Sequence, residues 1–241
     1  MGNDGKCNFV NCEQGTEEWL RSRLGKVTAS KFKDVMTNGR GGAASKTAES
    51  YMMELIAEKL VQAPVNEFSS PAIKHGNDNE PQARSVYSWR TGSPVETVGF
   101  ATHIEHPDVG ASSDGLVGDE GIIEIKCPYN PTNHLHTLTS QCFPKQYEWQ
   151  IQGQLWVLQR KWCDFVSFDP RMPESHMMVV IRVERDEEQI QALSERVLLF
   201  VDAMKKKERE IESAAMGMAY SSASWEEVEQ VEKEIADEEG V

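Results

Sequence analysis

The chain has 241 residues, 39% hydrophobic and 27% charged, with a formal net charge of −14. That length carries one or two domains with a sizeable core and needs no disulfide scaffold. No window approaches the roughly 20 unbroken apolar residues of a membrane span, and the polar N-terminus argues against a secretory leader. The acidity weighs against a nucleic-acid partner, but it is unevenly spread: residues 225–241 carry −7 and residues 1–224 the other −7. A protein that holds cations on carboxylates can be acidic overall and still present a basic groove. Five cysteines at scattered spacings favour thiols in a reducing compartment over a disulfide framework.

Residues 1–15 read as a loose N-terminal segment. Thr16 caps a short helix over 16–24, and Thr28 to Ser30 cap a second reaching Met36. Residues 38–45 are Gly-rich with one arginine, Arg40, and read as a loop. The apolar spacing predicts helices over 47–62 and 75–90. The period then changes. Residues 95–104, 109–117 and 122–127 read as strands, with a turn over 118–121. Residues 128–145 read as a long loop. A helix over 146–158, strands over 162–168 and 176–183, and a helix over 186–213 close an α/β domain of 16–214 around a mixed central sheet flanked by helices. Residues 215–241 form an acidic C-terminal tail. It is read first as a solvated terminus, with partner docking or self-inhibition as the functional alternatives.

The chemistry concentrates at Asp114 and at Glu124-Ile125-Lys126. On a strand Glu124 and Lys126 share a face. A turn centred near Asp119 and Glu120 pairs residues whose numbers sum to about 239, which puts Asp114 opposite Glu124 or within one residue of it. Two carboxylates and an ammonium thus converge. Like charges across a strand pair are destabilising, and a hard divalent cation would neutralise them. The plainer reading is a surface hairpin with an ordinary Glu–Lys pair. Ile122, Ile123 and Ile125 argue instead for a buried strand, where charge needs a purpose.

Asp114…Glu124-x-Lys126 resembles the metal site of the PD-(D/E)xK nucleases. More narrowly, the chain is similar to the phage lambda exonuclease and viral alkaline exonuclease (YqaJ-type recombinase) family. Four more blocks in the family's order carry the resemblance: Trp19 to Ser30, Gly76 to Glu80, Gln150 and Gln152 with Trp156, and Asp169 to Met172. Ser113 departs from the family's usual proline. The resemblance implies a restriction-endonuclease-like fold with Glu80, Asp114, Glu124, Lys126 and Gln150 in the active site. It implies Mg²⁺, with Mn²⁺ as a substitute, held by Asp114, Glu124 and the Ile125 carbonyl. It places Lys126 to orient or deprotonate a water and to steady the phosphate. It puts Arg23, Ser30 and Ser112 at a 5′-phosphate pocket and Arg40 beside the terminal base pair.

The function so implied is a 5′-to-3′ exonuclease on double-stranded DNA ends, releasing 5′-mononucleotides and leaving a 3′ overhang for recombination. A homotrimer, a single-strand-annealing partner and a cytoplasmic location (in a bacterial host if phage-encoded) follow from the same resemblance. The rivals are a repair or restriction-type endonuclease on the same site and a non-catalytic DNA-end-binding protein.

Overall fold

The computed structural model describes residues 5, 7–39, 45–66, 70–217 and 230. In chain order it runs β1 (Cys7–Val10), α1 (Glu17–Arg23), β2 (Val27–Thr28), α2 (Phe32–Met36), α3 (Lys46–Val61), α4 (Pro71–Thr91), β3 (Val95–Glu96), β4 (Phe100–His103), β5 (Val109–Ala111), β6 (Gly115–Val117), β7 (Gly121–Lys126), α5 (Pro131–Ser140), α6 (Glu148–Leu158), β8 (Trp162–Phe168), β9 (Met178–Glu184) and α7 (Glu187–Gly217). Residues 1–202 form one compact unit and 203–241 a second, which among the described residues holds the end of α7 and Gln230.

Helix starts follow side-chain caps. Thr16 Oγ1 accepts from the Trp19 amide at 3.3 Å, and Ser45 Oγ from Ala48 at 3.1 Å. Ser70 caps α4, with Pro71 at its first position, so this helix begins four residues before the expected start at 75. Residues 128–145 are not one long loop. Asn130 caps α5 through the Thr132 amide at 3.1 Å, and Pro131 opens the helix. The Asn and Pro that suggested a loop are its start signal. The N-terminal segment also holds a strand, β1, paired antiparallel with β4.

The α/β class holds, with mixed sheets flanked by helices. The strands divide between two sheets, in the orders β1-β4-β5-β2 and β3-β6-β7-β8-β9. The two expected strands over 95–104 and 109–117 each break in two because the chain changes sheet inside them. The first sheet has one parallel pair, β2 with β5, and the second has one, β7 with β8. The crossover from β7 to β8 runs through α5 and α6, as a parallel pair requires.

β7 is buried on both faces. Ile123 and Ile125 pack with Ala83 and Tyr87 of α4 and with Val166 and Phe168 of β8. The alternate residues, Ile122 and Glu124, face the other way, and Glu124 meets α6. Gly153 lets α6 approach closely: a Cβ there would meet the Phe32 ring at 2.3 Å. Among the described residues no two cysteines form a disulfide, and no helix is long and apolar enough to cross a membrane.

Candidate active site

The hairpin of β6 and β7 sets the geometry. Gly115 pairs with Ile123, Leu116 with Ile122 and Val117 with Gly121, so Asp114 continues the ladder opposite Glu124. The Asp114 amide donates to the Ile123 carbonyl at 3.1 Å, and Asp114 Oδ2 accepts from the Ile125 amide at 2.6 Å. Only 1% of Glu124 is exposed, yet both its oxygens are engaged. Oε1 accepts from Lys126 Nζ at 2.5 Å and from Gln150 Nε2 at 2.6 Å. Oε2 accepts from Gln154 Nε2 at 2.7 Å. Glu80, on α4, pairs with Arg84, whose Nε donates to the Asp114 carbonyl at 3.0 Å. Lys126 Nζ also lies 4.9 Å from the centre of the Tyr147 ring.

The charges oppose one another. Burial, then Glu124, then Glu80 push the Asp114 carboxyl well above the usual carboxylate range, against the pull of Lys126 and the Ile125 amide. Burial raises Glu80 as well; Arg84 pulls it down and Glu124 pushes it further up. Burial alone would lower Lys126, but Glu124 and Asp114 outweigh it and raise the ammonium's affinity for its proton. Lys126 is therefore a cation in this arrangement, suited to steadying negative charge. Burial, followed by Glu80, Asp114 and Asp169, pushes the Cys127 thiol up to about 12, so no thiolate competes at the site.

Arg23 NH1 and Trp19 Nε1 both donate to Ser112 Oγ, at 3.2 and 3.0 Å. The Arg23 guanidinium stacks 4.3 Å from the Trp19 ring centre, and burial lowers its pKa. Ser30 is exposed and its hydroxyl pairs with Thr28 Oγ1 at 3.3 Å. The parallel pairing of β2 with β5 places the chain before Ser30 beside the chain leading to Ser112. Arg40 lies outside the described residues.

Glu80, Asp114, Ile125 and Lys126 line a cleft of about 880 Å³. Glu80 and Asp114, with Asn77, also line a second cleft of about 1030 Å³ bounded by Asn11 to Trp19. The carboxylates thus stand in a wall shared by both. His134 and His136 are on α5 rather than in a loop. His136 lines the first cleft, while His134 is buried between Ser167 Oγ and the His176 carbonyl. His103, Glu105 and His106 bring ligand atoms within 4.8 Å of one another in a separate cleft. There the Glu105 amide donates to His103 Nδ1, and His103 Nε2 faces the Gln159 amide nitrogen at 3.4 Å, so those groups would have to rearrange before an ion could bind.

Sequence reasoning missed Gln154 and Arg84. Each sits four residues beyond a residue it did find, Gln150 and Glu80, on the same helical face. That spacing was the available signal.

Residues 18–161 match the family model of the YqaJ-like viral recombinase domain. The crystal structure of an alkaline exonuclease (LHK-Exo) from Laribacter hongkongensis is similar at 38% identity and TM-score 0.77, covering 85% of this chain and 100% of that one. The same enzyme in complex with dAMP gives a TM-score of 0.78. A phage-related exonuclease from Haemophilus somnus shares the fold at 18% identity and TM-score 0.64, covering 78% of this chain and 96% of that one. An uncharacterised protein of Acanthamoeba polyphaga mimivirus is 26% identical over 168 residues, which span 64% of this chain and only 29% of that protein.

Proposed function

The chain belongs to the YqaJ-like viral recombinase family, and on that premise we propose that it is a Mg²⁺-dependent exonuclease. It degrades one strand of duplex DNA from the 5′ end, releases 5′-mononucleotides and leaves a 3′ overhang. One observation carries this reading: Glu80, Asp114 and Lys126 line an open cleft, and buried Glu124, opposite Asp114, is hydrogen-bonded to Lys126 and Gln150. The dAMP complex of the Laribacter enzyme accords with a mononucleotide product.

The donor set suits a hard divalent cation. Asp114, Glu124 and the Ile125 carbonyl offer oxygen, and the nearby Cys127 stays a thiol. When bound, Mg²⁺ supplies positive charge to the scissile phosphate and lowers the pKa of an attacking water. Lys126, held as an ammonium by Glu124, steadies charge developing on the phosphate. Gln150 and Lys126 together fix Glu124 Oε1. Arg23, with Ser112 beside it, suits a terminal 5′-phosphate through charge-assisted hydrogen bonds, which favours an end-directed enzyme over an endonuclease. By the same resemblance we assign residues 16–214 to the exonuclease domain, a homotrimer as the assembly and a single-strand-annealing protein as partner, working in the cytoplasm of a host.

Linear duplex labelled at either 5′ or 3′ ends, incubated beside a closed circle with and without Mg²⁺, tests the reading. Release of 5′ label as mononucleotide, only from linear DNA and only with metal, is expected. Cleavage of the circle would favour the endonuclease, and binding without cleavage would favour an end-binding protein.

A further inference from the structure

Gln154 lies one helical turn beyond Gln150 on α6 and is fully buried. Its amide nitrogen donates twice, to Glu124 Oε2 at 2.7 Å and to the Ser112 carbonyl at 2.9 Å. Both partners only accept, so turning the amide over would set its oxygen against two oxygens. The orientation is therefore fixed by chemistry. It leaves Oε1 buried with no hydrogen-bond partner among the described residues. A buried orphan acceptor is costly, and an apolar side chain of similar size would avoid it. The glutamine keeps its nitrogen on Glu124 and Ser112 despite that cost.

Ser112 extends the connection. Its hydroxyl is held by Arg23 and Trp19, and its carbonyl by Gln154. A continuous path of hydrogen bonds through Ser112 and Gln154 joins Arg23 to Glu124. We propose that Gln154 is a positioning residue that fixes the Glu124 carboxylate, with Oε1 toward Lys126 and Gln150, and ties it to the segment bearing the terminal-phosphate pocket. This rests on the nuclease reading above. Gln154 has no exposed surface, so it acts through Glu124 and Ser112 and not on DNA. Outer partners of metal-binding carboxylates typically change metal affinity or activity by roughly 10–100-fold when removed.

The test compares wild type with Gln154→Met, which keeps the volume and loses the donor, and with Gln154→His, which keeps one N–H. Calorimetry of Ca²⁺ binding to the DNA-free protein should give about tenfold weaker affinity for the Met variant, with His between. At saturating Mg²⁺ the turnover of Gln154→Met should fall about tenfold with KM for DNA ends within about twofold. Its preference for 5′-phosphorylated over 5′-hydroxyl ends should shrink although Arg23 is intact. Unchanged Ca²⁺ affinity and turnover in a folded Met variant would overturn the proposal. Reduced turnover with a wild-type phosphate preference would overturn the tie between the two subsites. If Gln154→Met does not fold by circular dichroism, Gln154→His decides on the same measurements. Failure of the nuclease reading would look different: wild type would not digest DNA, while the Ca²⁺ comparison would still report on Glu124.

Discussion

Replacing Asp114 by asparagine should stabilise the metal-free protein while abolishing nuclease activity. Asp114 faces Glu124 across the hairpin, and burial, Glu124 and Glu80 all disfavour its charged form. Asparagine has nearly the same shape, and its oxygen can still accept from the Ile125 amide, now at 2.6 Å from Asp114 Oδ2. The substitution removes repulsion and keeps the hydrogen bond. Relief of this kind commonly yields about 0.5–2 kcal/mol. With a urea m-value of roughly 2–3 kcal/mol per M, the unfolding midpoint should rise by roughly 0.2–1 M. The assay is urea titration in EDTA, followed by tryptophan fluorescence. Repeating it in Mg²⁺ adds a second arm. Wild type should gain about 1.4 kcal/mol at ten times Kd by mass action, and the variant much less, so the gap narrows. A midpoint in EDTA that stays put or falls would refute the idea that the folded state carries this repulsion.

Three further outcomes are expected. Arg23→Ala should cut the rate on 5′-phosphorylated ends about tenfold or more and spare 5′-hydroxyl ends, since a charged hydrogen bond is worth about 1.5–3 kcal/mol; equal loss on both, in a digestion assay, would make Arg23 a folding or general backbone contact. Lys126→Ala should lose turnover while DNA affinity measured in Ca²⁺ persists, and parallel collapse of both would mark Lys126 as a binding residue. Asp169→Asn should flatten the acid limb of stability. Burial acts to raise the Asp169 pKa, but hydrogen bonds from the Arg171 side chain and amide outweigh it and hold the pKa below its usual 3.8. A lowered folded pKa gives stability that is full above the unfolded value and lost as pH falls through the folded one. Urea midpoints of wild type and variant should therefore converge as pH falls below the ordinary carboxylate range; a constant gap would put the Asp169 contribution elsewhere.

The hairpin that carries Asp114 and Glu124 was legible in the sequence because its determinants are local. A turn position and a period of two suffice to place Asp114 opposite Glu124, and the observed pairs sum to 238, one from the expected 239. Strand β1 was not legible. Its four residues are too few for a period, and its pairing partner begins some ninety residues later, at Phe100. The division into two sheets was hidden for a related reason: β5 and β6 read as one run, and only their separate partners part them. Helix α5 was misread because Asn and Pro open helices as well as loops. The three alternate glutamines of α6 illustrate the limit of a motif. Gln150 and Gln154 face Glu124, whereas Gln152 turns away to the Glu184 carbonyl and the Asp186 amide. A motif names residue types, but helical phase decides which of them reach the carboxylate.

The short connection between β6 and β7 acts as a ruler. Gly118, Asp119 and Glu120 lie between the last pair of the ladder, Val117 with Gly121. Gly118 takes φ +56°, with open space where a side chain would be. That backbone angle favours glycine however open the space, and Glu120 pairs with Lys161, so the tip is held in sequence at these positions. Its length is held for a different reason. Removing one residue would slide one strand against the other, and a slip of one position turns every side chain to the opposite face. Asp114 and Glu124 would then part company, with each strand still well formed. In a lineage that drifts, this loop should keep a glycine at 118 and resist any change of count.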